Sequence, residues 1–416
     1  MEFARGLLGL AAILLLAWAL GENRRVVAWR TVLGGMLLQG GLAILLIRWP
    51  PATRVFFLLN DGADALQRAT DAGTAFLFGY LAGPPLPFTE AHPGAAFILA
   101  FKALPLVLVI SALASLLLYW GVLQQMMRGF AWLLRRALGI GPALALGAAV
   151  HIFVGMIEAP LLVRPWLARM QRGELFALMT CGMAGIAGTV MVIYAAILGP
   201  VIPNALGTIL IASVISTPAA LAIAALMVPF GPGAENEAAL RLPHPPVSTL
   251  DAIIRGTMEG LPVLVGIVAV LLVTISLVTL VNMALGALGA AVAMPGLTLQ
   301  WLFAWPFRPL MWLIGISWAE TATAANLMAN KTVLNEFVAY LGLAGLPPDA
   351  LSAHARLIMT YALCGFANFG SLGILVGGLG AMVPERRAEI VGLGLRSVLS
   401  GTLATCSSGA MAGLLG

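Results

Sequence analysis

The sequence predicts an all-α polytopic membrane protein with about eight transmembrane helices and two re-entrant helical hairpins in an inverted repeat. Hydrophobic residues make up 61% of the 416 residues and charged residues only 9%, whereas soluble domains carry roughly 25% charged residues. Apolar runs of spanning length recur along the chain, separated by short stretches that hold many of the arginines. Two of the apolar regions contain carboxylates, and these two regions indicate the hairpins.

The charges and cysteines exclude several classes of protein. The net charge of +5 is spread over short loops instead of one face, so it does not indicate a nucleic-acid partner. Cys181, Cys364 and Cys406 lie in apolar runs without metal-ligand spacing, and we expect them to be core residues. We therefore expect neither a metal nor a cofactor.

Residues 1–140 are predicted to supply three scaffold spans, at 6–20, 31–47 and 96–120. One arginine precedes the first apolar run and three follow it, so the positive-inside rule places the N-terminus outside. Between the second and third spans, residues 55–81 mix aromatic with acidic side chains. That mixture is typical of a helix lying on the surface of the bilayer.

Residues 141–228 are predicted to form the first repeat. The apolar run 141–162 has arginines at both ends, so both ends belong on the cytoplasmic side and the segment must turn back within the membrane. A span at 175–198 follows, with three glycines interrupting its middle. An intact span at 201–228 completes the unit.

Residues 229–301 are predicted to contain a polar, proline-rich cytoplasmic loop at 231–246 and a scaffold span at 261–285, with a short amphipathic piece between them. This segment separates the two repeats.

Residues 302–416 are predicted to form the second repeat, with opposite sidedness. An interrupted region at 302–340 leads into a broken span at 357–383 and an intact span at 390–415. This arrangement leaves both termini outside, in a multi-pass protein of a bacterial-type inner (plasma) membrane.

The spacing of polar residues matches between the repeats. Glu158 lies 30 residues before Gly188, in the first broken span, and Glu336 lies 32 residues before Asn368, in the second. Interrupted segments at matching positions of inverted repeats indicate a transporter site near the bilayer midplane, and intramembrane carboxylates indicate a ligand or ion pathway. We therefore predict that Glu158 and Glu336 converge on one solvated pocket. The alternative is that the glycines only permit close helix packing.

Three blocks resemble the signature motifs of the concentrative nucleoside transporters. They are Asn-Glu-Phe-Val-Ala-Tyr at 335–340, preceded by a lysine, Glu-Ala-Pro at 158–160, and Gly-Phe-Ala-Asn-Phe at 365–369. The resemblance covers essentially the whole chain. It implies a homotrimer of eight-span protomers that imports nucleosides by elevator-type alternating access and cation symport. The repeats at 141–228 and 302–416 would then be transport repeats, and the remaining spans a scaffold.

The resemblance also implies which residues bind the substrate. In that family, residues matching Glu158, Glu336 and Asn368 contact the ribose hydroxyls, and those matching Phe366 and Ser371 flank the nucleoside. Carboxylates accept hydrogen bonds from vicinal hydroxyls, and an asparagine can both donate and accept.

Two positions depart from the sodium-coupled members of the family. Their asparagine and serine ligands for sodium correspond to His151 and Gly185 here. Because both oxygen-bearing side chains are lost, we expect a proton to replace sodium, with His151, Glu158 and Glu336 as candidate carriers. A sodium site rebuilt from backbone carbonyls at Gly185 stays open. So does a structural His151 that bonds to helix carbonyls.

The wall around the base is expected to be apolar. Met156 and Ile157 replace two polar residues that touch the base in the family, and Val190 is assigned to the same substrate site. We therefore expect broad acceptance of nucleosides, while another ribose-bearing or polyol-like substrate stays open. Lys331 is predicted to pair with Glu336.

Other function classes fit the sequence less well. An enzyme is disfavoured because the loops contain no soluble domain, nucleophile–base pair or metal cluster. An ATP-driven pump would need a phosphate-binding loop, and none occurs. A membrane receptor on the same fold is an alternative that is disfavoured on the same grounds, while a pore stays open because re-entrant segments also line channels.

Overall fold

The computed structural model describes residues 2–83, 85–89, 96–199, 201–231, 246–294 and 296–416, and the regular elements within them are helices without a strand. The predicted all-α class is therefore confirmed. The helices are α1 (Glu2–Ala19), α2 (Trp29–Ala43), α3 (Pro50–Phe78), α4 (Leu99–Lys102), α5 (Leu106–Tyr119), α6 (Val122–Leu138), α7 (Pro142–His151), α8 (Glu158–Leu162), α9 (Arg164–Leu167), α10 (Arg172–Ala184), α11 (Gly188–Leu198), α12 (Ala205–Met227), α13 (Thr249–Ala291), α14 (Leu299–Leu313), α15 (Thr321–Val333), α16 (Glu336–Ala344), α17 (Ala353–Leu363), α18 (Phe369–Met382) and α19 (Arg387–Leu415).

Several of these helices are suited to a bilayer. Among the described residues, five helical segments are long and apolar enough to cross a membrane: Trp29–Arg48, Leu99–Tyr119, Ala205–Met227, Thr249–Ala291 and Pro384–Leu415. The apolar part of α1 and the halves of the broken spans are shorter. The chain is thus a multi-pass membrane protein, and the count of eight spans stays a prediction.

The same order of helices occurs twice. Hairpin 1 consists of α7 and α8, and is followed by α10 and α11 as a broken span and by α12 as an intact one. Hairpin 2 consists of α15 and α16, and is followed by α17, α18 and α19 in the same way. The interrupted region predicted at 302–340 also includes most of α14, which precedes the hairpin.

The breaks in the two broken spans lie against each other. After α10 the backbone is extended at Gly185, whose φ is −118° and ψ is 171°. The backbone N–H of Phe366, in the second break, donates to the carbonyl of Gly185 at 3.2 Å. A hydrogen bond at membrane depth satisfies groups that neither broken helix can pair internally.

Four local predictions need correction or completion. The amphipathic piece and the span predicted at 261–285 form one continuous helix, α13, whose 43 residues correspond to about 65 Å, twice the roughly 30 Å hydrocarbon core. The span predicted at 96–120 corresponds to the apolar segment Leu99–Tyr119, which consists of α4 and α5 joined by a short turn. The surface helix predicted at 55–81 begins earlier, at Pro50. Most of the loop predicted at 231–246 lies outside the described residues.

The helices of residues 1–140 pack against different parts of the chain. α5 packs along α13, whereas α1 packs against α19 and α2 packs against α12. The first two helices thus lie on the transport repeats, and the assignment of residues 1–140 and 229–301 to a scaffold stays a prediction. The amphipathic α6, which the sequence analysis did not separate, leads from α5 into hairpin 1.

Arginines tie the start of α10 to its neighbours. The Glu22 carboxylate, between α1 and α2, pairs with Arg172 at 2.9 Å and with Arg396 at 2.6 Å. The hydrogen bond from Arg172 lowers the pKa of Glu22 below its usual value, and the charge of Arg396 acts in the same direction. Arg386 donates to the carbonyl of Leu167 at 2.7 Å. These contacts fix the helix that carries the first break.

Candidate functional site

Glu336 is the first residue of α16 and the centre of a buried hydrogen-bond network. Glu336 is buried, with only 5% of the residue exposed. Oε1 accepts a hydrogen bond from the Tyr194 hydroxyl at 2.7 Å, and Oε2 accepts one from Asn368 Nδ2 at 2.9 Å. Tyr194 lies on α11 and Asn368 precedes α18. One carboxylate therefore joins hairpin 2 to both broken spans.

Two asparagine caps hold this network in place. Asn335 Oδ1 accepts from the Val338 N–H at 2.9 Å and caps α16, while Asn368 Oδ1 accepts from the Ser371 N–H at 2.7 Å and caps α18. Asn368 thus uses its oxygen for the cap and its nitrogen for Glu336. An aspartate would cap the helix but would face Glu336 with a second acceptor, so the amide is the group that the geometry requires.

Aromatic rings close one side of the network. The Tyr194 ring lies 5.8 Å from that of Phe337 and 5.2 Å from that of Tyr340, between centroids. The Tyr340 hydroxyl donates to the carbonyl of Thr360 at 2.9 Å instead of to Glu336. Tyr194 is not among the site residues predicted from the sequence. A tyrosine within an apolar span was the available signal, because its buried hydroxyl needs a partner.

Glu158 is the first residue of α8, the position that Glu336 has in α16, but its surroundings differ. Glu158 is exposed, and no residue in the described ranges hydrogen-bonds or pairs with its carboxylate. Oε2 lies over Gly155, where a Cβ would be 2.2 Å away. The glycine is therefore needed for this position of the carboxylate. That Glu158 and Glu336 share one pocket stays a prediction.

The other predicted substrate residues lie on the same elements. Phe366 is half-buried in the second break, and Ser371 is buried in the first turn of α18. In hairpin 1, Met156 is buried near Gly182. The Cδ1 atom of Ile157 packs on Gly378 of α18, where a Cβ added to the glycine would lie only 2.2 Å from it.

Val190, the remaining predicted substrate residue, is buried in α11, one turn before Tyr194. The second half of the first broken span thus carries two residues of interest. A direct role of Val190 in substrate binding stays a prediction.

His151 ends α7 in a buried position, 4% exposed. Its Cε1 atom would lie 3.2 Å from a Cβ at Gly182, so that glycine makes room for the imidazole. The Nε2 atom has no hydrogen-bond partner among the residues that the structure describes. The alternative that this nitrogen bonds to a helix carbonyl is therefore not seen.

Lys331 does not form the predicted ion pair with Glu336. Its residue is 0% exposed, and Nζ donates to the Ala362 carbonyl at 2.8 Å and to Thr405 Oγ1 at 2.9 Å. Within the described chain, no ion pair of Lys331 is found. The ammonium lies beside the end of α17, where carbonyls lack intrahelical partners, and it joins that end to α19.

The cysteines and the metal-binding residue types give no second site. All three cysteines are free and buried, as expected of core residues. In the described ranges, no group of three or more His, Cys, Asp or Glu side chains could hold a metal ion.

Comparison with known protein families finds matches along most of the chain. Three family models match: Na+ dependent nucleoside transporter N-terminus over residues 8–81, nucleoside recognition over 100–201, and Na+ dependent nucleoside transporter C-terminus over 208–413. The models span both broken helices and hairpin 2.

Relatives and solved structures cover nearly all of the chain. The chain is 36% identical over 418 residues to the putative nucleoside permease NupX of Escherichia coli, with 99% of each chain covered. It is 33% identical to the nucleoside permease NupC of Helicobacter pylori, over 98% of this chain and 96% of that one. The structure of CNTnw in an inward-facing substrate-bound state matches with a TM-score of 0.90 at 34% identity, covering 100% of this chain and 98% of that one.

Proposed function

The chain belongs to the concentrative nucleoside transporter family, and from that premise we propose that it imports nucleosides by proton symport with elevator-type alternating access. Its relatives are transporters and not enzymes. The observation that carries the proposal is the network of Glu336, Tyr194 and Asn368, which joins hairpin 2 to both broken spans.

The chemistry of this network suits the ribose. A carboxylate offers about four lone-pair positions, and the two described donors leave Glu336 able to accept from sugar hydroxyls. Glu158 would supply a second, unpartnered carboxylate, and Asn368 an amide. Phe366 would stack on the base and Ser371 would lie beside the nucleoside. Aromatic stacking accepts any base, because every base has a π-face.

The apolar residues explain the proposed breadth of substrates. Met156, Ile157 and Val190 have no side-chain amide or hydroxyl with which to read the base. Selection would therefore depend on shape and stacking, and purine and pyrimidine nucleosides would both be carried.

Two substitutions support the choice of a proton. Gly185 offers no side-chain oxygen, and His151 offers a buried imidazole whose Nε2 lacks a partner among the described residues. Imidazole is the side chain suited to proton exchange near neutral pH. Sodium coupling is the second candidate, and the description of the matching family models favours it.

The test is uptake of radiolabelled uridine and adenosine into proteoliposomes under separate pH and sodium gradients. We expect an inward proton gradient to drive accumulation of both nucleosides and a sodium gradient to have no effect. Accumulation that requires sodium and ignores pH would overturn the proton assignment.

His151→Asn is the complementary variant, because it returns an oxygen ligand to hairpin 1. We expect it to weaken the response to a pH gradient. An unchanged response would remove His151 from the proton path, while uptake itself would still report the transporter.

We also propose a homotrimer in a bacterial-type inner membrane. The long helix α13 is strongly apolar, and only 6% of its most apolar stretch is buried within the chain. Lipid or other protomers must therefore cover this helix. Native mass spectrometry in mild detergent tests the assembly. A trimer is expected, and a monomer that retains uridine binding would contradict it.

A further inference from the structure

We propose that Ser213, on α12, is a ligand of the coupling cation at the end of α10, where position 185 lacks a side-chain oxygen. The ligand class is a small monovalent cation coordinated by oxygens, either a hydrated proton or sodium. The inference deepens the proposed cation coupling and rests on it. It adds a residue outside both hairpins and both broken spans.

Three oxygen atoms surround position 185. A Cβ built on Gly185 would lie 3.4 Å from Ser213 Oγ, 3.6 Å from the Cys181 carbonyl oxygen and 3.9 Å from the His151 carbonyl oxygen. These atoms come from α12, α10 and α7, so three separate elements converge there. Carbonyl and hydroxyl oxygens are the ligands that small hard cations prefer in proteins.

Ser213 itself indicates an occupant. The residue is 0% exposed, yet its Oγ has no hydrogen-bond partner in the part of the chain that the structure describes. The neighbouring serine on the same helix, Ser216, bonds to Ser408 at 2.8 Å. Buried hydroxyls are normally satisfied by protein, water or an ion, so the orphaned Ser213 hydroxyl points to a bound species.

A second unpartnered atom lies beside α10, next to Gly182. His151 Nε2 is buried without a partner among the described residues, and it would lie 3.7 Å from a Cβ at Gly182. His151 borders both glycines, with its ring at Gly182 and its carbonyl oxygen at Gly185, where Ser213 Oγ also lies. Both orphaned polar atoms therefore border one glycine-lined surface.

The end of α10 favours a positive charge. Because α10 ends at Ala184, the Cys181 carbonyl is among its last four carbonyls, which have no partner within the helix. The C-terminal end of a helix also carries partial negative charge. A cation at this end would be held by the helix as well as by Ser213.

The site is linked to the substrate residues through one backbone bond. The carbonyl of Gly185 accepts the N–H of Phe366, whose side chain is proposed to stack on the base. A cation that orders the backbone at Gly185 would therefore also position Phe366. This contact gives a physical route by which cation and nucleoside binding assist each other.

The decisive experiment removes the hydroxyl at position 213 and then restores a hydroxyl at position 185. Ser213→Ala removes it, and the double variant Ser213→Ala/Gly185→Ser returns it from α10. Serine is compatible with position 185, since the backbone there is extended and the nearest atom to an added Cβ is 3.4 Å away. Ser216→Ala is the matched control, because it deletes another buried hydroxyl of α12 that bonds to α19.

Uridine accumulation in proteoliposomes is measured for each variant under a pH gradient and, separately, under a sodium gradient, and melting temperatures report folding. We expect Ser213→Ala to lower cation-driven accumulation by about 10-fold, the double variant to recover it, and Ser216→Ala to match the wild type. Ser213→Cys, which keeps the volume but presents a soft sulfur, is expected to lose the same response.

The outcomes separate the site from the identity of the cation. Loss of a sodium response in Ser213→Ala would support the site and overturn the proton assignment. Unchanged cation-driven accumulation in both Ser213→Ala and Ser213→Cys would overturn the site, whichever cation drives the wild type. A double variant that melts like the wild type but stays uncoupled would also overturn it.

Discussion

Hairpin 1 and hairpin 2 each resume, after their break, with a glutamate as the first residue of the second helix. Glu336 is buried and accepts hydrogen bonds from Tyr194 and Asn368, whereas Glu158 is exposed and has no partner among the described residues. Hydrogen bonds therefore fix the geometry of the Glu336 carboxylate, whereas no described residue holds the Glu158 carboxylate. A preorganised acceptor loses little entropy when it binds a ligand, while a free one can adapt to it.

The residues before the two glutamates explain part of this difference. Asn335 caps α16 with a side-chain hydrogen bond, but the equivalent residue in hairpin 1, Ile157, forms no cap and packs against Gly378 instead. A side-chain cap contributes typically ~1 kcal/mol to a helix. α16 extends for nine residues and α8 for five.

Glu336→Gln should have the largest effect. The amide would place an N–H₂ group against Tyr194 or Asn368, both of which donate to the carboxylate, and it removes the charge. Hydrogen bonds to charged groups contribute about 1.5–3 kcal/mol each, so we expect the initial rate of uridine uptake to fall at least ~100-fold. Wild-type uptake by a folded variant would remove Glu336 from the site.

Asn368→Ala should come next, with Asn335→Ala as its control. Both variants lose an N-cap, but only Asn368 also donates to Glu336. Each should lose ~1 kcal/mol of stability, measured by thermal unfolding, and Asn368→Ala should lose a further ~10-fold or more in uptake because its bond to a charged group is lost. Equal uptake in the two variants would show that only the caps matter.

Tyr194→Phe tests the aromatic side of the network. The variant keeps the ring and removes the donor to Glu336 Oε1, and we expect uptake to fall ~10-fold. Tyr340→Phe removes the same atom from a ring beside it, whose hydroxyl bonds to Thr360. If both variants transport alike, the bond from Tyr194 to Glu336 has no specific role.

Glu158→Gln should have the smallest effect on folding and a moderate one on transport. Because no described group pairs with this carboxylate, the melting temperature should stay unchanged, and KM for uridine should rise by up to ~10-fold through one weakened sugar contact. A loss as large as that of Glu336→Gln would erase the proposed difference between the hairpins.

The repeat and its two carboxylates were predictable from sequence, and their partners were not. Carboxylates and glycines stand out in an apolar sequence, so Glu158, Glu336 and the breaks could be located. Tyr194 lies 142 residues from Glu336, and a tyrosine in an apolar helix gives no periodic signal of its partner. Lys331 was assigned to the nearest carboxylate along the chain, but its ammonium reaches the carbonyl of Ala362 across the fold.

The misjudged length of α13 has a different cause. The sequence changes near residue 260 from a mixture of polar and apolar residues to an apolar run, whereas the helix itself continues past Pro262. Hydropathy therefore reports where a helix meets the membrane and not where the helix ends.

The most direct test of the account is a comparison of uridine and 2′,3′-dideoxyuridine binding to the purified wild type and to Glu336→Gln by calorimetry. If Glu336 accepts ribose hydroxyls, uridine should bind the wild type at least ~10-fold more tightly than the dideoxy analogue, since a bond to a charged acceptor contributes 1.5 kcal/mol or more. That preference should fall in Glu336→Gln to the part that Glu158 and Asn368 supply. An equal preference in both proteins would contradict the assignment of Glu336 to the sugar.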